Sequence, residues 1–159
     1  MPGPQAPDTI AVVQSIKTLL TNLKLSDGVT PAYQTVTIGA LDDYTQVPLP
    51  CATIIIRNDD SERRAFGGTI NEDQAFEIRS IVDYTNKSAA ELQIMAIRDV
   101  LMLMLQKYGR LPDAPTAWKT KVEPGSARFG YMVLKPNWYR IHKVNWLISQ
   151  TYMVPGGIQ

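Results

Sequence analysis

Cysteine and histidine are almost missing from this chain, which has one of each, Cys51 and His142. A lone cysteine excludes an internal disulfide. One Cys with one His also cannot build the usual zinc sites within one chain, so no metal site is expected. An excess of charge is missing too. Sixteen Lys+Arg face fifteen Asp+Glu, a formal net charge of +1, so no global field steers a polyanion or a membrane here. Long apolar runs are absent. The most apolar one, Val100–Leu105, falls far short of the roughly 20 residues a membrane span needs. The opening Met1-Pro2-Gly3-Pro4-Gln5-Ala6-Pro7 has neither a positive charge nor an apolar core. It is read as an extended tail, residues 1–7, rather than a signal peptide, and reducing cytoplasm is the expected compartment.

What is there describes a folded chain of one domain's length: 159 residues, 45% hydrophobic and 19% charged. The domain is expected over residues 8–154, followed by a short tail at 155–159. Charge is uneven along it. Residues 1–105 hold eight basic and thirteen acidic side chains, whereas residues 106–159 hold eight basic and two acidic. Either folding interleaves the two halves, or the subunit is bipolar and its basic part meets an acidic neighbour or nucleic acid.

Asp8 is a good N-cap for a first helix. Ile10, Val13, Ile16, Leu20 and Leu23 form its stripe, and the helix is expected to run to about Leu25 and stop at Asp27-Gly28. Val36 and Ile38 alternate with Thr35 and Thr37 as a strand. Pro48 and Pro50 mark residues 39–50 as a loop. Cys51–Ile56 is apolar on both faces, as a central strand would be. Asn58–Asn71 reads as a long polar loop, and Phe76, Ile78, Val82 and Tyr84 give the next strand one apolar face. Ser88-Ala89-Ala90-Glu91 reads as a capping box for a second helix, with its core stripe at Ala90, Ile94, Ile97, Leu101, Leu105 and Tyr108 and Gly109 at its C-cap. Residues 111–136 are rich in proline and read as a second projecting loop with short strands at 118–122 and 129–134. Trp138–Val154 is a long strand, with His142, Val144, Trp146, Ile148 and Tyr152 on one face. The order α-β-β-β-α-β-β predicts an α+β fold, an antiparallel or mixed β-sheet with two helices packed on one face.

The second helix is apolar on the wrong side as well. Opposite its core stripe stand Leu92, Met95, Met102 and Leu103. Each would gain roughly 1.5–3 kcal/mol on full burial, and left in water they are a hazard unless something covers them. The cover is either residues 111–136 folding back or a neighbouring subunit, for which Met is well suited.

Chemistry is sparse. The pairs Asp42-Asp43 and Asp59-Asp60 read as solvated turns. His142 is expected to be a buried, hydrogen-bonded core histidine, and Cys51 a small core residue. No G-x-S-x-G, P-loop or G-x-G-x-x-G motif occurs, and Gly67-Gly68 marks a turn. No catalytic residue and no cofactor are expected, and the chain is read as not an enzyme. The last third mixes basic residues with Trp118, Phe129, Tyr131, Trp138, Tyr139 and Trp146. That mixture suits contact with a nucleic-acid backbone better than reading of its sequence.

The element order, the strand Pro48-Leu49-Pro50-Cys51-Ala52-Thr53-Ile54-Ile55-Ile56 and the closing strand Tyr139–Ile148 resemble the tail-terminator proteins of long-tailed bacteriophages, also called tail-completion or head–tail joining proteins. The resemblance spans about residues 8–154 and is a pattern of elements with no signature motif. It implies a structural virion protein that forms a homo-oligomeric, hexameric ring, assembled in the host cytoplasm and ending in the tail or neck. The ring would cap the tail tube and join it to the capsid neck, with the tube protein and a neck or connector protein as partners and DNA passing through. The two loops, with Arg63, Arg64, Phe66, Trp118, Lys119 and Lys121, would make the contacts, and Leu92, Met95, Met102 and Leu103 the subunit interface. Another phage neck or connector subunit, or a small nucleic-acid-binding module using the basic aromatic last third, are the alternatives.

Overall fold

A computed structural model describes residues 6–66 and 68–153; within 58–66 it describes the backbone alone. The chain begins with helix α1 (Thr9–Thr21). The Asp8 carboxylate caps it by accepting from the Ala11 N–H at 3.0 Å. The helix stops a turn before Leu25. Leu23–Leu25 turns back to bridge Lys24 with Pro31, so Asp27-Gly28 serves this small turn instead of a helix end. There the Asp27 carboxylate accepts from the N–H groups of Val29 and Thr30, and Gly28 takes φ +72°.

Six strands make one mixed sheet: β1 (Thr35–Ile38), β2 (Cys51–Phe66), β3 (Thr69–Asp83), β4 (Ala117–Val122), β5 (Arg128–Leu134) and β6 (Asn137–Met153). The order is β1-β2-β3-β6-β4, and β5 also lies against β6. Only β1–β2 is parallel, and every other pair is antiparallel. Helix α2 (Lys87–Lys107) crosses from β3 to β4. The two helices, on one face, share a core with the sheet that includes Val12, Ile16, Leu20, Ile54, Phe76, Ile78, Ile94, Ile97, Leu101, Val144, Trp146 and Ile148. This is the expected α+β architecture, with a mixed sheet.

The largest difference from the sequence reading is at 58–71. The expected loop is a continuation of β2 and β3 into a long hairpin, turned at Gly68 with φ +88°. Thus Arg63, Arg64 and Phe66 stand in a strand, and their side chains lie outside the described residues. The hairpin reads as a loop because its residues are polar, yet β3 finds a partner on each side: β6 pairs with it from Thr69 to Asp83. Backbone pairing, not apolar alternation, holds it. The other expected loop, residues 111–136, does contain strands close to the expected places, β4 and β5.

Helix α2 is capped by Asn86, whose side chain accepts from the Ala89 N–H at 3.1 Å. The cap therefore precedes the expected Ser88 box. At the other end Tyr108 is the cap, and Gly109 does not take a positive φ.

A second, smaller core lies on the opposite face. Residues 39–50 fold over the sheet there and bury Tyr44 with Cys51, Ile81, Tyr139 and Ile141. The Tyr44 and Tyr139 rings meet at 5.7 Å. This cover extends over only one end of that face.

The orientation of α2 gives a direct test. Leu101 is fully buried and Leu103 is exposed. Leu101→Ala should cost about 2–5 kcal/mol, and Leu103→Ala about 0.5 kcal/mol or less, in urea denaturation at low protein concentration.

Candidate functional site

Two surfaces stand out, one on each side of the sheet. On the helix side, α2 leaves Leu92 68%, Met95 44% and Leu103 67% exposed. Residues 111–136 leave these three uncovered. Met102, grouped with them from the sequence, instead packs partly buried against the main core. It sits on the flank of the helix, about 100° round from the core-facing Leu101.

Beside that flank the sheet reaches past the helix layer. Phe129, Tyr131 and Val133 of β5 point to the helix side, because they pair with His142, Arg140 and Trp138 of β6. All three are exposed, as is Trp138. Arg140 ties this wing to α2. Its Nε lies 3.0 Å from Glu91 Oε1, an ion pair without hydrogen-bond alignment. The same guanidinium lies 4.2 Å from the Tyr131 ring centroid and donates to the Gly130 carbonyl at 2.9 Å. Tyr131 in turn meets Tyr84 edge-on at 5.3 Å. The exposed aromatics are thus held in place by a charged, half-buried anchor.

The other side of the sheet is polar where residues 39–50 do not cover it. Period-two alternation puts Lys119 and Lys121 of β4, Arg128 of β5 and Lys143 of β6 there together. Trp118 sits at a β-bulge, where pairing shifts between Ala117 and Lys119. It lines a shallow hollow with Asn71, Asp73, Lys119, Lys121, Leu147 and Ser149. A second hollow joins Arg57, Glu77, Glu123, Arg128, Lys143 and Asn145. The acidic groups here are engaged: Asp73 accepts from Ser149 at 2.7 Å, Glu123 from Asn145 at 2.6 Å, and Glu77 pairs with Arg79 at 3.3 Å.

The structure therefore splits a group that the sequence presents as one. Four of the eight basic residues of the last third, Lys119, Lys121, Arg128 and Lys143, lie on the open face, whereas Lys107 is in α2 and Arg140 on the helix side. Phe129, Tyr131 and Trp138 lie on the helix side, and Tyr139 and Trp146 are buried. Trp118 is the exposed aromatic beside the lysines.

The residues considered for chemistry are placed as follows. Cys51 is buried in the smaller core, and burial pushes its thiol up to about 11, which keeps it protonated and poorly nucleophilic. Asp43 accepts from the Thr45 N–H and hydroxyl, and those hydrogen bonds hold its carboxyl below the usual range. The side chains of Asp59 and Asp60 lie outside the described residues. Among the described residues no three His, Cys, Asp or Glu side chains converge on a metal-sized site, and no helix is long and apolar enough to cross a membrane.

His142 is buried, as the strand pattern predicts, but its Nδ1 has no hydrogen-bond partner among the described residues. Its ring meets Phe129 edge-on at 5.2 Å. Burial, and secondarily the Arg98 charge, push its pKa down to about 4.

No protein-family model matches this chain, and no curated protein matches it either.

The His142 environment predicts an acid-labile step. The folded pKa lies below the unfolded value of about 6.5, so between pH 6.5 and 4 the unfolded chain binds the extra proton. Stability should fall by up to about 3 kcal/mol as pH drops through that window. His142→Phe should remove this part of the pH dependence in thermal denaturation. As the one histidine of the chain, it should titrate by NMR near pH 4 in the folded protein.

Proposed function

We propose that this chain is a structural assembly subunit that joins copies of itself head to tail, and that it acts as a ring-forming tail terminator. The observation that carries the reading is the outer face of α2. Leu92, Met95 and Leu103 stand in solvent, Leu103 toward the end of α1, and the wing of Phe129, Tyr131, Val133 and Trp138 is exposed on the same side of the sheet. Apolar surface of this kind on a soluble chain marks a contact surface. Burying the three helix side chains would yield roughly 1.5–3 kcal/mol each.

Strand order adds support. β1 covers β2 only from Cys51 to Ile54, so among the described pairings the outer edge of β2 is open beyond that point. β4 is the last strand on the other side of the same end of the sheet, and of its outward groups the Thr120 N–H is already taken by the Gly109 carbonyl at 3.0 Å. β2 and β6 run one way, β3 and β4 the other. A second copy set beside the first without reversal would bring its β2 against β4 in the antiparallel sense, with the up-down alternation unbroken. Such a contact is heterologous and closes into a ring if the rotation per subunit allows. The open edge of β2 otherwise invites uncontrolled pairing.

The finer part of the reading comes from the resemblance: six subunits, a tail tube below, a neck or connector above, and a place in the virion. In this role the chain performs no bond-making chemistry. Its work is to present matched surfaces to sister copies and to two unlike partners.

The test uses Leu92→Glu/Met95→Glu/Leu103→Glu in the full chain. Light scattering and negative-stain images of the unaltered protein should give one discrete closed oligomer. The triple variant should stay monomeric with an unchanged circular-dichroism spectrum. A native monomer at every concentration overturns the proposal, and so does a triple variant that assembles as before.

A further inference from the structure

We infer that the open face of the sheet, at β4, β5 and β6, is a binding surface for the phosphate backbone of a nucleic acid, engaged without regard to base sequence. The inference rests on where the cations are, not on self-association, and holds for a monomer or an oligomer.

Lys119, Lys121, Arg128 and Lys143 come from three strands and share one face. Lys119, Lys121 and Arg128 are exposed and Lys143 half-exposed, and among the described residues none of the four makes an ion pair. Asp73 and Glu123 border the group and keep their charges, each held by a neutral side chain, Ser149 and Asn145 respectively, so that four cations face two carboxylates. Glu77 is matched by Arg79. A face with this balance attracts a polyanion although the whole chain carries only +1. The cations outnumber their acidic neighbours and are spread over three strands of one face, an arrangement that suits a running backbone better than a single small anion.

The contact is to backbone rather than to base edges. Of the exposed aromatics, Phe129, Tyr131 and Trp138 are on the far side of the sheet, and only Trp118, 46% exposed, sits by the lysines. One ring can stack on one base of a single strand but cannot read a sequence. Duplex and single strand offer the same phosphate chemistry, and Trp118 tells them apart.

The experiment measures fluorescence anisotropy of a labelled 30-nucleotide single strand and of a 30-bp duplex, each of arbitrary sequence, against the full chain. Four cations predict a slope of log affinity on log salt of about −3.6 for the duplex and about −2.8 for the single strand. Lys119→Glu/Lys121→Glu should make the duplex slope shallower by about 1.8 or more. Lys87→Glu/Lys107→Glu, the same charge change on the exposed side of α2, should leave the slope unchanged. Quenching of tryptophan emission by the single strand, lost in Trp118→Phe, would identify the single strand as the preferred form; salt-dependent binding without quenching would identify the duplex. Absence of binding to both at low salt overturns the inference. So does equal weakening by the two double variants, which would reduce the effect to net charge.

Discussion

The register of β6 is the constraint on which the rest depends. Its seventeen residues lie against β3 on one side and against β4 and β5 in succession on the other. Alternate residues Val144, Trp146, Ile148, Gln150 and Tyr152 are buried beneath the helix layer, while Lys143, Asn145, Leu147, Ser149 and Thr151 face the other way. Trp146 stands opposite Phe76 on one side and Val122 on the other, so three apolar side chains lie abreast beneath the helices. A slip of one residue would send the indole to the open face and Asn145 into the core. Gln150 fixes the far end. Its buried Oε1 accepts from the Thr116 hydroxyl at 2.8 Å and from the Asp8 N–H at 3.2 Å, which links the start of α1 to the strand. Removing that acceptor would strand buried donors, at a cost of about 1–3 kcal/mol.

Elements that bury a periodic face were legible. Of the stripe Ala90, Ile94, Ile97, Leu101, Leu105 and Tyr108, all but Tyr108 are buried, Tyr108 being the partly buried C-cap, and the faces assigned to the last strand hold residue by residue. What was not legible came from pairing at a distance. The 58–71 hairpin has no apolar pattern because one of its strands is an edge and its other partner, β6, lies about eighty residues on; the Thr151–Asn71 and Tyr152–Glu72 side-chain hydrogen bonds mark that span. The choice of Asn86 over Ser88 as helix cap turns on where β3 releases the chain, which local sequence does not state. Met102 was misplaced because a wheel gives an angle but not the height of neighbouring elements.

The candidate surfaces were half legible. The spare apolar residues on α2 could be read from spacing, and Leu92, Met95 and Leu103 are indeed uncovered. Their companions on β5 could not, since nothing local says that β5 extends past the helix layer. The basic last third could be counted, but only strand register shows that its lysines and its aromatics part company. Residues i and i+1 of a strand face opposite ways, so Lys121 and Val122, or Arg128 and Phe129, contribute to different surfaces although adjacent in sequence.

That separation has a consequence for how the two surfaces can be used. The apolar, aromatic surface is on the helix side, and the basic one is on the open side, with a sheet one strand thick between them. Occupying one does not block the other. If copies join through the edges and α2, the open faces of successive copies turn the same way and their cations line up. The charge of one subunit is modest, but a repeated row of such faces along a polyanion multiplies the effective affinity without any new contact. Backbone binding would then be weak for the lone chain and strong for the assembly, so the state of assembly itself would decide when nucleic acid is held.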